Sequence, residues 1–176
     1  MLMLRAAVLL EELQRFGDPG APVFAGWPTG RADARRRWAH AFQVYLSDMV
    51  DTVPTLIPTG GTLAFTGVED AFFASITLDN PFVPDAAADL ADAWRAGITA
   101  LRPGSSATHG GDTFMFEAMA PTDVAARHAA LNADLVAAFT SPQVSRRADL
   151  TEIADALHRA TVGLRSTPST FVVTYG

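Results

Sequence analysis

The sequence predicts a mainly α-helical protein of five or six helices with a small β element that includes a C-terminal strand. Three observations lead to this fold class. Apolar residues recur every three or four positions in several stretches, which is the period of an amphipathic helix. Clusters of glycine and proline separate these stretches. The segment from Phe171 to Tyr175 consists of β-branched and aromatic residues, which favour a strand.

The N-terminal half of the chain contains three predicted helices. The first covers residues 2–16 and ends at a glycine- and proline-containing break. The second covers residues 31–50 and has the clearest apolar stripe. That stripe consists of Trp38, Phe42, Tyr45, Met49 and Val53. We place the third helix from about Gly67 to Leu78, although residues 62–66 also fit a short strand by alternation.

Two further helices are predicted in the middle of the chain. The first covers residues 85–101, with Asp85 as its N-cap. The second covers residues 122–140 and is capped by Thr122 or Asp123. The helix at 85–101 is expected to share one core with the second helix and the last one. Its central members are Trp38, Phe42, Trp94 and Leu157.

The segments around these helices complete the predicted organisation. Residues 103–112 are rich in glycine and serine and predict a flexible loop, and residues 113–119 follow as a short strand. The last helix covers residues 149–164, where Asp149 and Glu152 have the spacing of a capping box.

The C-terminal strand, residues 169–176, is the feature with the most consequence for function. A lone strand is not stable and must pair with another. Its partner is either the strand at 113–119 of the same chain or a strand in another subunit. In the second case Phe171, Val172, Val173, Thr174 and Tyr175 are interface residues.

The overall composition indicates a single domain over residues 1–176. Hydrophobic residues make up 49% of the 176 and charged residues 18%, which suffices for a buried core. The chain has no cysteine, so disulfides and Cys-ligated metals are excluded. All 13 basic residues are arginine, which excludes Schiff-base lysines and P-loop chemistry.

The four histidines are the side chains that titrate near neutral pH. His40 and His158 are expected to be solvated. His128 falls on the apolar stripe of its helix, where it is either a half-buried residue bonded to a carbonyl or carboxylate or a ligand in a pocket between helices. His109 lies near Asp112 in the predicted loop, and a metal site that uses both with a distant ligand stays an alternative. No spacing matches a known site, so we predict no catalytic, cofactor-binding or metal-binding residue and no cofactor.

One basic cluster stands out in a chain whose net charge is −6. Arg35, Arg36 and Arg37 lie near the start of the second helix, where their charge opposes the helix dipole. With 19 acidic residues in the chain, we expect these arginines to pair within the subunit or across an interface between subunits. The acidic balance argues against general nucleic-acid binding. No run of about 18 apolar residues predicts a membrane span, so no membrane partner is expected.

Parts of the chain are similar to a known class of proteins. They are WAHAFQVY from Trp38 to Tyr45, the Ala-rich helix around Trp94, and ALHRATVGLRSTPSTFVVT at 156–174. They resemble small Ala-rich proteins encoded in the structural modules of tailed phages and prophages. The resemblance is one of pattern and covers 31–176, apart from 103–119. It implies a virion or assembly component without enzymatic activity, and it carries over no functional residue.

We therefore expect a non-enzymatic structural or assembly subunit of a phage-like particle, at its neck or tail. Its partners would be copies of itself and other particle proteins. It would be cytoplasmic during synthesis and then part of a virion or phage-like particle. The alternative is a small helical enzyme or ligand-binding domain with His128 in an interhelical pocket.

Overall fold

The computed structural model describes most of the helical part of the chain. The described residues are 2–3, 5–15, 28–47, 50–51, 67–100, 106–109, 112–115, 121–141, 145–162, 165–166 and 173–174.

The described part of the chain contains six helices, so the predicted mainly helical class is confirmed. Each helix overlaps a stretch in which the apolar period predicts one. In chain order they are α1 (Ala6–Gln14), α2 (Arg31–Ser47), α3 (Val68–Ser75), α4 (Val83–Thr99), α5 (Pro121–Thr140) and α6 (Arg146–Thr161).

Among the described residues, the strands form three separate antiparallel pairs, with two to four described residues in each strand. The pairs are β1 (Leu2–Met3) with β2 (Val50–Asp51), β3 (Ser106–His109) with β4 (Asp112–Met115), and β5 (Arg165–Ser166) with β6 (Val173–Thr174).

These pairs bear on three sequence predictions. Residues 2 and 3 belong to β1, so the first helix begins later than predicted. The predicted loop 103–112 contains β3 and the first residue of β4, and its mobility stays a prediction. β6 pairs with the segment that precedes it rather than with β4.

The helices form a closed cycle around a shared core. Each helix packs against the next one in sequence, from α1 to α6, and α6 packs back against α1. All six helices contribute to the buried cluster. Phe42, Trp94 and Leu157 are buried in it and Trp38 packs against it half-buried, which confirms the predicted core.

Within this core α4 comes very close to α2 and α3. A Cβ atom added at Gly97 would lie 3.2 Å from a ring carbon of Phe42 and 3.3 Å from a methyl of Val68. The absence of a side chain at Gly97 therefore allows the three helices to approach.

Two helix starts differ from those predicted. The N-cap of α4 is Phe82, so Asp85 lies in the first turn, where its carboxylate bonds Asn80 instead of the helix end. The N-cap of α6 is Ser145, whose Oγ accepts from the backbone N of Ala148 at 3.2 Å. The capping box of Asp149 and Glu152 is therefore wrong, because the serine four residues before Asp149 already caps the helix.

The start of α5 also differs from the prediction. α5 begins at Pro121, so Thr122 and Asp123 lie inside the helix rather than at its cap. Pro121 suits the first position because it lacks the N–H that this position cannot pair within the helix.

Candidate functional site

A part-buried hydrogen bond joins α2 to α6. The Tyr45 side chain is fully buried, and its hydroxyl lies 2.8 Å from Nδ1 of His158. The two rings also meet edge to face, with centroids 6.0 Å apart. The sequence predicts a solvated His158, and this is wrong: the residue is half-buried against Tyr45.

A second bond, which is buried, joins α4 to the same helix. Nε1 of Trp94 donates to Oγ1 of Thr161 at 3.0 Å. The Thr161 hydroxyl in turn donates to the carbonyl of Leu157 at 2.7 Å. Trp94 and Thr161 are both fully buried, so each polar atom has a partner where water does not reach it.

Burial controls the protonation of this polar cluster, which consists of Tyr45, Trp94, His158 and Thr161. It raises the pKa of Tyr45 far above the usual range, and the nearby Thr161 hydroxyl lowers it by a smaller amount. It also lowers the pKa of His158, a shift that the Asp155 carboxylate opposes and the Arg159 guanidinium reinforces. The neutral phenol and imidazole join α2 to α6 without burying a charge, and the indole and hydroxyl of Trp94 and Thr161 join α4 to α6.

The sequence contains a signal for this cluster. Ala154, His158 and Thr161 lie at spacings of four and three, so His158 shares a helix stripe with two buried residues. The predicted stripe used Ile153, Leu157 and Ala160, which are also buried, and placed His158 outside it. A helix with a broad buried face accommodates both stripes.

His128 is a half-buried histidine paired with a carboxylate, as one of the two alternatives for it predicts. Its Nε2 lies 2.9 Å from Oδ1 of Asp92, which links α5 to α4, and its side chain is 22% exposed. His40 has a similar contact, because its Nδ1 lies 3.3 Å from Oε2 of Glu69 in α3. The prediction that His40 is solvated holds only in part, since its side chain is 25% exposed.

Two open grooves run between α5 and α6. The larger, of about 350 Å³, is lined by Asp134, Ala137, Ala138, Ser141, Glu152, Asp155 and Arg159. Arg159 donates to Asp134 across it at 2.9 Å. The smaller, of about 130 Å³, lies beside Arg127, whose guanidinium donates to the carbonyls of Ala160 and Val162 at the end of α6. His128 lines neither groove, and no metal-binding cluster of three or more His, Asp or Glu residues occurs in the described part of the chain.

The three clustered arginines have different surroundings. Arg37 is buried, with 3% of its side chain exposed, and donates to Asp33 at 3.0 Å. That bond and a backbone bond from Thr29 lower the pKa of Asp33. Arg37 therefore pairs within the subunit, with a carboxylate one turn away on the same helix, which is one of the two alternatives predicted for these arginines. Its part in an interface stays a prediction.

Arg35 and Arg36 lie against one aromatic ring of α3. Their guanidinium carbons are 4.7 and 4.9 Å from the ring centroid of Phe73, and Arg35 also donates to the Phe73 carbonyl at 2.8 Å. Arg36 is exposed, whereas Arg35 is half-buried. Their part in an interface stays a prediction.

The other candidate residues lie in or near the strands. Val173 and Thr174 form β6, whereas Phe171, Val172 and Tyr175 lie outside the described residues. His109 and Asp112 are opposite each other in the register of β3 and β4.

Comparison with known proteins gives no relative. No protein-family model, curated protein or solved structure matches the chain. Among the described helices, none is long and apolar enough to cross a membrane.

Proposed function

We propose that the protein is a non-enzymatic structural or assembly subunit of a phage-like particle, at its neck or tail. It works through interfaces with copies of itself and with other particle proteins. The resemblance of residues 31–176 to small Ala-rich proteins of phage structural modules supports the kind of particle. The pairing of the strands supports the mode of action.

The observation that carries this proposal is that β5 and β6 pair with each other and with no helix or further strand in the described part of the chain. There the sheet consists of these two strands, with two described residues each. An isolated two-stranded pair is marginally stable in water, and its outer edges present backbone donors and acceptors to any strand that approaches. A strand from a neighbouring subunit that adds to this edge stabilises both chains.

The sequence around β6 supports such an addition. Side chains alternate between the two faces of a strand, so in a strand over these residues Phe171, Val173 and Tyr175 share one face and Thr170, Val172 and Thr174 share the other. The first face carries two aromatic rings. In the proposal that face is covered in the assembly, together with the exposed edge.

Deletion of residues 169–176 tests the proposal. The helices close their cycle without these residues, so we expect the helical circular dichroism and a cooperative melt to persist. We expect higher-order association, measured by light scattering after size-exclusion chromatography, to be lost. A truncated chain that fails to fold would show that the strand belongs to the core and would overturn the assembly role.

A paired substitution separates the two faces in the full chain. Phe171→Ser with Tyr175→Ser removes both rings, and Thr170→Ser with Thr174→Ser is the matched control on the opposite face. The first pair should abolish association and the second should leave it unchanged. Equal behaviour of the two pairs would contradict the proposed face.

A further inference from the structure

Phe82 stands out on the surface of the described structure. It is 72% exposed, and it is the one large hydrophobic residue exposed to this extent among those whose side-chain burial the structure describes. It lies at the N-cap of α4, in the connection from α3, between Pro81 and Val83. A phenylalanine in water forgoes the burial that an aromatic ring of its size usually gains.

The connection that presents Phe82 is firmly held. The Asp89 carboxylate accepts from the backbone N of Thr77 at 2.9 Å, from its hydroxyl at 3.0 Å, and from the backbone N of Leu78 at 2.8 Å. These bonds hold Leu78 at a φ of 53°, in the left-handed region that a leucine rarely adopts. Strain of this kind persists where the surroundings fix the backbone.

The residues next to Phe82 are tied as well. The Oδ1 of Asn80 accepts from the backbone N of Phe82 at 3.0 Å, and its amide donates to Asp85. The ring is therefore presented by an ordered turn rather than by a loose loop. Because the backbone that carries the ring is already fixed, a partner that covers Phe82 has only the freedom of the side chain to restrict, which favours an interface anchor.

Charged residues of both signs lie in the connection that carries Phe82 and on α2. Arg31, the first residue of α2, bonds Asp79 in the same connection, and both side chains are more than half exposed. Asp85 is exposed beside Phe82, and Arg36 is exposed one and a half turns along α2 from Arg31. Arg36 lies against Phe73, and Phe73 is near the C-terminal end of α3, just before the connection that carries Phe82.

We propose that this surface, formed by Phe82, Arg31, Arg36, Asp79 and Asp85, is a contact between two copies of the chain related by a two-fold axis. In a two-fold contact the same surface of both copies is used, so each contact between two different residues occurs twice. A surface that carries both signs of charge is therefore complementary to its own copy. The contact depends on neither the strand edge nor the particle and therefore goes beyond the function proposed above.

Phe82 of one copy covers the Arg36 guanidinium of the other in this arrangement. A guanidinium is planar, and one aromatic ring, Phe73 of its own chain, already lies against that of Arg36. A second ring on the opposite face gives another cation–π contact in a site that loses water on binding. The exposed carboxylates of Asp79 and Asp85 offset the repulsion between two chains of net charge −6 by pairing with the second copy's arginines.

Sedimentation velocity on the full chain over a wide concentration range tests the contact. We expect a reversible dimer that weakens with rising salt. Phe82→Ser and Arg36→Ala should each weaken dimerisation about tenfold or more, and the double variant should weaken it by less than the product of the two. Phe82→Tyr keeps the ring and should retain the dimer.

Arg95→Ala is the matched control, because Arg95 is equally an exposed arginine but pairs with Asp92 in the middle of α4. It should dimerise like the unaltered chain. The chain that lacks residues 169–176 should also keep this dimer, so loss of the strand interface and loss of this contact are told apart. A chain that stays monomeric at every concentration would overturn the contact, and so would a dimer that is insensitive to Phe82→Ser and Arg36→Ala. Binding of a different protein to Phe82 would not rescue it in either case.

Discussion

Single side chains in the core show how this protein satisfies polar atoms that are out of reach of water. Thr161 accepts from Trp94 and donates to Leu157, and Tyr45 is bonded to His158. Loss of a partner leaves a buried group unsatisfied, which costs about 1–3 kcal/mol, more than the bond itself contributes. The residues of the polar cluster therefore determine which helices meet, in addition to the apolar packing around them.

His158 makes the stability of the protein depend on pH. Its pKa is lower in the folded chain than the ordinary value of 6.5 that it has when unfolded. Between these two values the unfolded chain binds more protons, so the free energy of unfolding falls as pH falls. The stabilisation is complete above about pH 6.5 and decreases below it, by at most about 1.4 kcal/mol per pH unit for one proton.

Urea melts at several pH values check this dependence. His158→Gln keeps a hydrogen-bonding group near Tyr45 but cannot titrate, so its stability should fall less steeply below pH 6.5 than that of the native chain. His40→Gln removes a histidine that lies outside the polar cluster and serves as the control. Parallel curves for the native chain and His158→Gln would show that His158 is not responsible.

Helices as elements were predicted far better than their ends. A period of three to four residues is repeated over many positions, so one misplaced residue does not hide it. A helix end depends on a single local feature, such as the capping contact of the Ser145 Oγ or the turn before Phe82. For this reason the observed starts of α6 and α4 differ by a few residues from the predicted ones. The strands are shorter still and depend on partners that the local sequence does not specify.

The close packing of α4 against α2 and α3 at Gly97 predicts a measurable effect on stability. Alanine in a helix interior is favoured over glycine by up to about 1 kcal/mol. At Gly97 that gain is opposed by the contact with Phe42 and Val68, both fully buried, because these side chains must shift to admit a methyl group. Overpacking of this kind costs about 1–3 kcal/mol. We therefore expect Gly97→Ala to be destabilising by about 1 kcal/mol.

A size series in denaturant melts separates packing from helix propensity. Gly97→Val should cost clearly more than Gly97→Ala, because each added methyl reaches further into the space between α2 and α4. Circular dichroism of both variants should show the helical content of the native chain. A Gly97→Ala variant more stable than the native chain would mean that Phe42 yields without cost.

At the scale of the whole molecule, the order of contacts is simple but could not be predicted from the sequence. Five of the six helix contacts join sequence neighbours, and the sixth, between α1 and α6, closes the cycle. Closure brings together residues more than a hundred positions apart, such as Tyr45 and His158. For the same reason the sequence predicted Trp94 and Leu157 as core residues but did not predict the bond of Trp94 to Thr161 or the exposure of Phe82.

Closure of the cycle predicts that α1, although short, is part of one cooperative unit. Leu13 is fully buried and belongs to the helix that packs on both α2 and α6. Leu13→Ala removes apolar contacts and leaves a cavity, at a cost of about 2–5 kcal/mol. The loss of stability should also be seen at α4, which is separated from α1 by two helices in the cycle, because all the helices share one core.

Tryptophan fluorescence and far-ultraviolet circular dichroism check this in parallel urea melts. Trp27 and Trp38 are first replaced by phenylalanine, so that Trp94 in α4 alone reports on the far side of the cycle, whereas circular dichroism reports on all helices. In Leu13→Ala both transitions should move together to lower urea, as expected of a two-state unit. Glu11→Ala, an exposed position on the same helix, should leave both midpoints nearly unchanged. The opposite result would be a small dichroism transition at low urea, with the fluorescence transition unchanged. It would show that α1 unfolds separately and that the other helices form the core without it.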